Sequence, residues 1–170
     1  MIKAMSYAFT AHESVNHKIN GAPYSVHLAL AGFYGLKFLE IIPIYLRQTA
    51  MDALFLHDTI EDTRKTYNDI KTEFGAGVAD IVYACSNEKG KTRKERANPK
   101  YYQGIIETPG AIFVKLCDRL ANVKYSKETG AQQFEMYKKE NAGFLSSLFP
   151  NVIMSRPFNP MILELNKMFE

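Results

Sequence analysis

Cysteine is scarce, long apolar runs are missing, and neither sign of charge dominates. Each shortage removes a class of protein. The only cysteines, Cys85 and Cys117, lack the C-x-x-C spacing of a structural metal site. Both lie among apolar residues, which predicts reduced, buried thiols and a cytoplasmic protein. No apolar stretch approaches the roughly 20 residues that span a bilayer, so no membrane partner is expected. The opening MIKAMSYAFTAHES carries polar and acidic residues too early for a signal peptide. With 21 basic and 18 acidic residues the net charge is +3, and bulk charge gives no argument for nucleic acid. Period-2 alternation, internal repeats and low-complexity linkers are lacking too. What is there is ordinary: 170 residues, 46% apolar, enough for one domain with a real core.

The apolar spacing is helical nearly throughout, and the expectation is an all-α single domain. Helices are expected from Ile2 to about Asn16, Ser25 to Glu40, and Ile44 to Asp58. The turn "NGAPY" stands between the first two. A short helix capped by Thr66 and stopped at Gly75 follows, then one from Val78 to Cys85. Residues 87–100, "NEKGKTRKERANPK", are polar and basic and are expected to be a mobile surface loop. After a turn at Thr108-Pro109-Gly110 comes a strongly apolar helix, then one over Phe134–Phe149, and a last short one after Pro160.

One stretch breaks the apolar pattern. In "LFLHDTIEDT" (54–63) a buried-looking run gives way to His57-Asp58, and Glu61-Asp62 follow. If the helix continues through Asp62, His57 and Glu61 lie about 40° apart, as do Asp58 and Asp62. The stretch is then either a helix end with surface charges or part of a site. Carboxylates at a helix C-terminus face the unfavourable end of the dipole, a conflict that a bound cation removes. His27 on the second helix and Asp118 within "AIFVKLCDRLAN" could complete such a site. For Asp118 the plain alternative is an ion pair with Lys115 or Arg119, since a buried carboxylate needs a partner. Two imidazoles and two carboxylates suit Mn²⁺, Fe²⁺ or Zn²⁺ without choosing among them.

The order His27, His57-Asp58, Asp118 resembles the HD superfamily of metal-dependent phosphohydrolases. The finer resemblance is to the hydrolase domain of the RelA/SpoT family and its small stand-alone members. It rests on "APYSVH" (22–27), "LFLHDTIEDT" (54–63), "FGAGVADIV" (74–82) and "VKLCDRLANV" (114–123). The resemblance implies an HD-domain helical bundle over 1–150, with 151–170 as an extension packed on it or forming a homo-oligomer contact. It implies one Mn²⁺ per chain on His27, His57, Asp58 and Asp118, with Glu61 and Asp62 as the catalytic acid/base pair. The substrate implied is a guanosine nucleotide, ppGpp or pppGpp, cleaved to GDP or GTP and pyrophosphate. His17 and Lys18 would match an Arg-Lys pair that holds the base. Asn122 would touch the ribose, and Tyr137 would line the nucleotide pocket. From the basic segment, Lys89, Lys91 and Arg96 are expected to meet phosphates, or else to be a solvated run. Leu28 stands where the family has proline after the first histidine, and His17 where it has arginine. These departures keep other substrates open: a nucleoside 5′-phosphate, a dNTP or the 2′-phosphate of NADPH. A non-catalytic nucleotide-binding or nucleic-acid-binding module is the third reading.

Overall fold

The computed structural model describes residues 1–86 and 90–170, and its regular structure is almost wholly helical. Helix α1 (Ile2–Ser14) buries Ala4, Ala8, Ala11 and His12, a stripe at helical spacing. Asn16 and then Asn20 take positive φ, and the "NGAPY" turn proves to be a small ribbon. Strands β1 (Lys18–Ile19) and β2 (Ala22–Pro23) pair antiparallel, Lys18 opposite Pro23 and Ile19 opposite Ala22. Asn20 (φ 45°) and Gly21 (φ 86°) form the left-handed two-residue turn that Asn-Gly favours. Strands of two residues are too short for alternation to reveal them.

Helix α2 (Ser25–Lys37) ends sooner than expected, and a 3₁₀ turn at Leu39–Ile41 takes up the rest of that span. The chain continues as α3 (Ile44–Leu56), α4 (Thr59–Asp62), α5 (Tyr67–Phe74) and α6 (Ala76–Cys85). Thr66 caps α5 in a capping box with Asp69, as its sequence position suggested. The expected loop is only partly one. Within its described residues, α7 (Arg93–Arg96) begins at a second capping box, Thr92 with Glu95. Asn98 then caps α8 (Pro99–Glu107). Short side-chain caps outweigh the density of charge there.

Helix α9 (Ala111–Thr129) is the axis of the molecule, packed against α2, α3, α6 and α8 and against the two long C-terminal helices. Those are α10 (Gln133–Leu148) and, after α11 (Val152–Ser155) and a 3₁₀ turn at Arg156–Phe158, α12 (Asn159–Lys167). α12 buries Met161 and Leu165, and the Lys127 amine of α9 donates to the Met168 carbonyl just beyond it. A central helix is apolar nearly all round. α9 departs from that rule at Asp118, Arg119 and Ser126, all buried. Cys85 and Cys117 are free and buried. Among the described residues no helix is long and apolar enough to cross a membrane.

Candidate metal and phosphoryl site

Asp118 and three residues from the other side of the core converge on one point. His27 of α2, His57 and Asp58 at the α3–α4 junction, and Asp118 of α9 each offer one ligand atom, all within 4.8 Å of one another. Adjacent residues on an unbroken helix point about 100° apart, which would keep His57 and Asp58 from meeting. The structure departs here from the expected continuous helix. α3 stops at Leu56, and Asp58 takes φ −99°, ψ 1°, between two helical turns. This break lets His57 Nε2 and Asp58 Oδ2 stand 2.9 Å apart.

The cluster is oriented from behind. His57 Nδ1 lies 2.7 Å from the Leu54 carbonyl, which can only accept, so Nδ1 carries the proton and Nε2 faces inward. Inside, the two Nε2 atoms of His27 and His57 are 3.2 Å apart, and each is about as close to Asp118 Oδ1, at 3.4 and 3.5 Å. Asn122 donates to that same Oδ1 at 2.5 Å, while Lys115 donates to Oδ2 at 2.9 Å. The ion pair and the site were alternatives in the sequence, yet one carboxylate serves both, an oxygen to each. Tyr24 donates its hydroxyl to Asp58 Oδ2.

Burial alone would lower His57, but Asp58 and Asp118 hold its imidazole well above the usual histidine range in the metal-free chain. Burial would raise Asp118; Lys115 and the two imidazoles instead hold it well below the carboxylate range. Two imidazoles and two carboxylates turned on one point fit a divalent metal, and the donor types alone choose no single ion.

Glu61 and Asp62 stand beside this cluster on α4, exposed to the same cavity, of about 180 Å³. Burial, Asp58 and Glu61 push Asp62 up to about 7. The cavity adjoins a larger groove of about 1460 Å³, sharing Glu61, Arg96 and Tyr101 with it. Asn122, Tyr137 and Arg96 line the cavity. Lys91 is exposed and does not line it, and Lys89 lies outside the described residues. His17 is stacked on Tyr24, centroids 3.9 Å apart at 16°, with Nδ1 3.9 Å from an Asp62 oxygen. Its other neighbour is His12, Nδ1 to Nδ1 at 2.8 Å. Burial takes His12 down to about 4, so that ring is neutral at ordinary pH. Lys18 is exposed on β1.

The sequence reading did not single out Tyr24, Arg93 or Glu140 and took Arg119 only for a partner of Asp118. Tyr24 stands inside "APYSVH", three residues before His27, and was legible there. Arg119 instead lies over the rings of Phe144, at 4.1 Å, and Tyr137, at 4.9 Å, a contact between helices that no local pattern signals.

No family model matches the chain. Curated proteins do. The chain is 34% identical over 127 residues to a guanosine-3′,5′-bis(diphosphate) 3′-pyrophosphohydrolase of Aquifex aeolicus, covering 72% of this chain but 17% of that protein. It is 30% identical over 125 residues to the guanosine-3′,5′-bis(diphosphate) 3′-pyrophosphohydrolases MESH1 of Mus musculus and Homo sapiens, covering 73% of this chain and 68% of each of them. Among solved structures it matches a metazoan ortholog of SpoT, described as hydrolysing ppGpp, with a TM-score of 0.73 and 21% identity. That match spans 99% of this chain and 92% of the other, and at such identity it establishes the helical fold.

Proposed function

The chain belongs to the guanosine-3′,5′-bis(diphosphate) 3′-pyrophosphohydrolase family, and from that membership we propose that it cleaves ppGpp or pppGpp to GDP or GTP and pyrophosphate. The observation that carries the reading is the inward-facing quartet His27, His57, Asp58 and Asp118 with a carboxylate pair beside it in one cavity. A divalent ion on that quartet, Mn²⁺ in our reading, supplies a Lewis acid for a phosphoryl oxygen and a more acidic water.

The chain's own residues supply the rest. Asp62, whose carboxyl is pushed up by burial and by its neighbours Asp58 and Glu61, gives a proton to the departing ribose O3′. Glu61 orients the attacking water and takes its proton. One oxygen–phosphorus bond forms, the bond from phosphorus to O3′ breaks, and GDP and pyrophosphate leave from ppGpp. Asn122, held on Asp118, faces the ribose, and Tyr137 and Arg96 line the nucleotide side. In this reading the exposed Lys91, and Lys89 by its charge alone, add to the basic character of the segment that meets phosphates. His17 and Lys18 hold the base. In this proposal residues 1–150 carry the hydrolase, 151–170 is an extension packed on it, and the enzyme works in the cytoplasm.

His17 stacked on Tyr24, where the resemblance has arginine, favours a second reading: the same site acting on another nucleotide. A panel of ppGpp, nucleoside 5′-phosphates, dNTPs and NADPH with Mn²⁺ decides. Preferred turnover of ppGpp supports the first reading. Faster loss of the NADPH 2′-phosphate or of a 5′-phosphate overturns it.

A further inference from the structure

His12, on α1, is 1% exposed, and the reaction as derived does not use it. Its Nδ1 meets the Nδ1 of His17 at 2.8 Å, while its Nε2 is buried with no hydrogen-bond partner. Two facing ring nitrogens at that distance share one proton. Burial takes His12 down to about 4, so the ring is neutral and carries a single N–H. On Nε2 that proton would be a buried donor without an acceptor, the rarer kind of orphan. On Nδ1 it is satisfied by His17. His12 therefore donates and His17 Nδ1 accepts. The proton of a neutral His17 then sits on Nε2, at the opposite edge of its ring.

The ring of His17 is fixed in place as well. It is stacked on Tyr24, its backbone N–H donates to the His12 carbonyl at 3.0 Å, and its carbonyl accepts from the Tyr24 N–H at 3.2 Å. Asp62 is the competing acceptor. One of its oxygens stands 3.9 Å from His17 Nδ1, beyond hydrogen-bond reach, and His12 holds that atom first. Without His12 that oxygen draws the proton to Nδ1 and leaves Nε2 a bare acceptor.

We propose that His12 is a positioning residue that locks His17 as an Nε2–H donor and through it makes the site prefer guanine to adenine. The inference rests on the reading in which His17 holds the base. Guanine presents O6 and N7 as acceptors on one edge, whereas adenine has an amino donor in the place of O6. A fixed donor therefore matches guanine and meets the amino group of adenine donor to donor. Arginine, which the resemblance has here, donates in every state. A histidine donates from Nε2 only in one tautomer, and His12 selects it.

The test is made on the full chain. Nitrogen NMR of the histidine rings reads the tautomers, and titration with GDP and with ADP in the presence of Mn²⁺ reads the preference. His12→Phe keeps a ring against Tyr24 but removes the donor, and His17→Phe removes the reader. In the wild type His12 is expected to carry its proton on Nδ1 and His17 on Nε2. The ratio of GDP to ADP affinity is expected to fall about fivefold in either variant, the worth of one hydrogen bond, and no further when the two are combined. A His12 that only fills space would weaken both nucleotides together and leave the ratio alone. His12 protonated on Nε2, or a ratio unchanged in His12→Phe, overturns the proposal. Should His12→Phe not fold, the tautomers of the wild type and the ratio in His17→Phe decide in the same way. If tautomers and ratio follow as expected while ppGpp is not turned over, the hydrolase reading fails and the role of His12 stands.

Discussion

At the scale of single residues, Asp118 has the most constrained position in the molecule. One of its oxygens faces the imidazoles and the other holds the Lys115 ammonium. Asp118→Ala therefore does more than remove a ligand, because it leaves that ammonium buried without its carboxylate. EDTA-treated Asp118→Ala is expected to lose about 3–5 kcal/mol of stability in a urea melt. A loss within a few tenths would show that Lys115 finds water instead. Asp62 gives a second prediction. Its value rises from 3.8 to about 7 in the fold. Between those values the folded metal-free chain keeps a proton that the unfolded chain has lost, so this group makes stability fall as pH rises through that window. Carboxyl NMR of the metal-free protein should show one midpoint near 7, absent in Asp62→Asn. An Asp62 midpoint near 4 would remove it as the proton donor. The identities of these residues were legible in the sequence, because four polar groups interrupt apolar runs that have no other use for them. Their support was less so: Tyr24 on Asp58 and the Leu54 carbonyl behind His57 depend on how turns fold back.

Among the elements, the α3–α4 break and the α2–α3 contact decide whether the ligands meet. The sequence predicted a helix running on through Asp62, since nothing in "HDTIED" is a strong breaker. α3 nevertheless ends at Leu56, and the break coincides with the approach of His57 to Asp58 in the cluster. His27 lies on α2 and His57 directly follows α3, and the two helices approach closely at Gly35. A β-carbon there would collide with Leu54 Cδ2 and sit 2.9 Å from the Met51 sulfur. Gly35→Ala improves helix propensity by about 1 kcal/mol, yet overpacking at a core contact costs about 1–3 kcal/mol. The expected net result is a lower midpoint in thermal melts together with weaker metal binding, as the two histidines are pushed apart. A stabilised variant with unchanged metal affinity would show that the helices separate freely. Helix α7 shows the other limit of sequence reading. Six basic residues over 87–100 suggested a solvated loop, while the Thr92–Glu95 box that builds the helix is a pair of side chains within that run.

For the whole molecule, α9 joins the core to the chemistry: its apolar faces carry the packing and its buried Asp118 and Arg119 line the cavity. Fold class was legible because helical spacing persists along nearly the entire chain. The ribbon at Asn20–Gly21 and the contacts of α10 and α12 were not, since they are set by partners far apart in sequence. A site assembled from α2, α3 and α9 exists only in the folded chain, so metal binding must stabilise folding. At about a hundred times its dissociation constant, the ion is expected to add about 2.7 kcal/mol, a shift of several degrees in the melting midpoint. Asp58→Ala should lose most of that shift; keeping it in full would move the metal elsewhere. The most direct test of the account is product analysis of ppGpp incubated with the Mn²⁺-loaded protein and with its Asp58→Ala variant. The account predicts GDP and pyrophosphate in equal amounts from the wild type and almost none from the variant. Full turnover by Asp58→Ala, or release of inorganic phosphate in place of pyrophosphate, would contradict it.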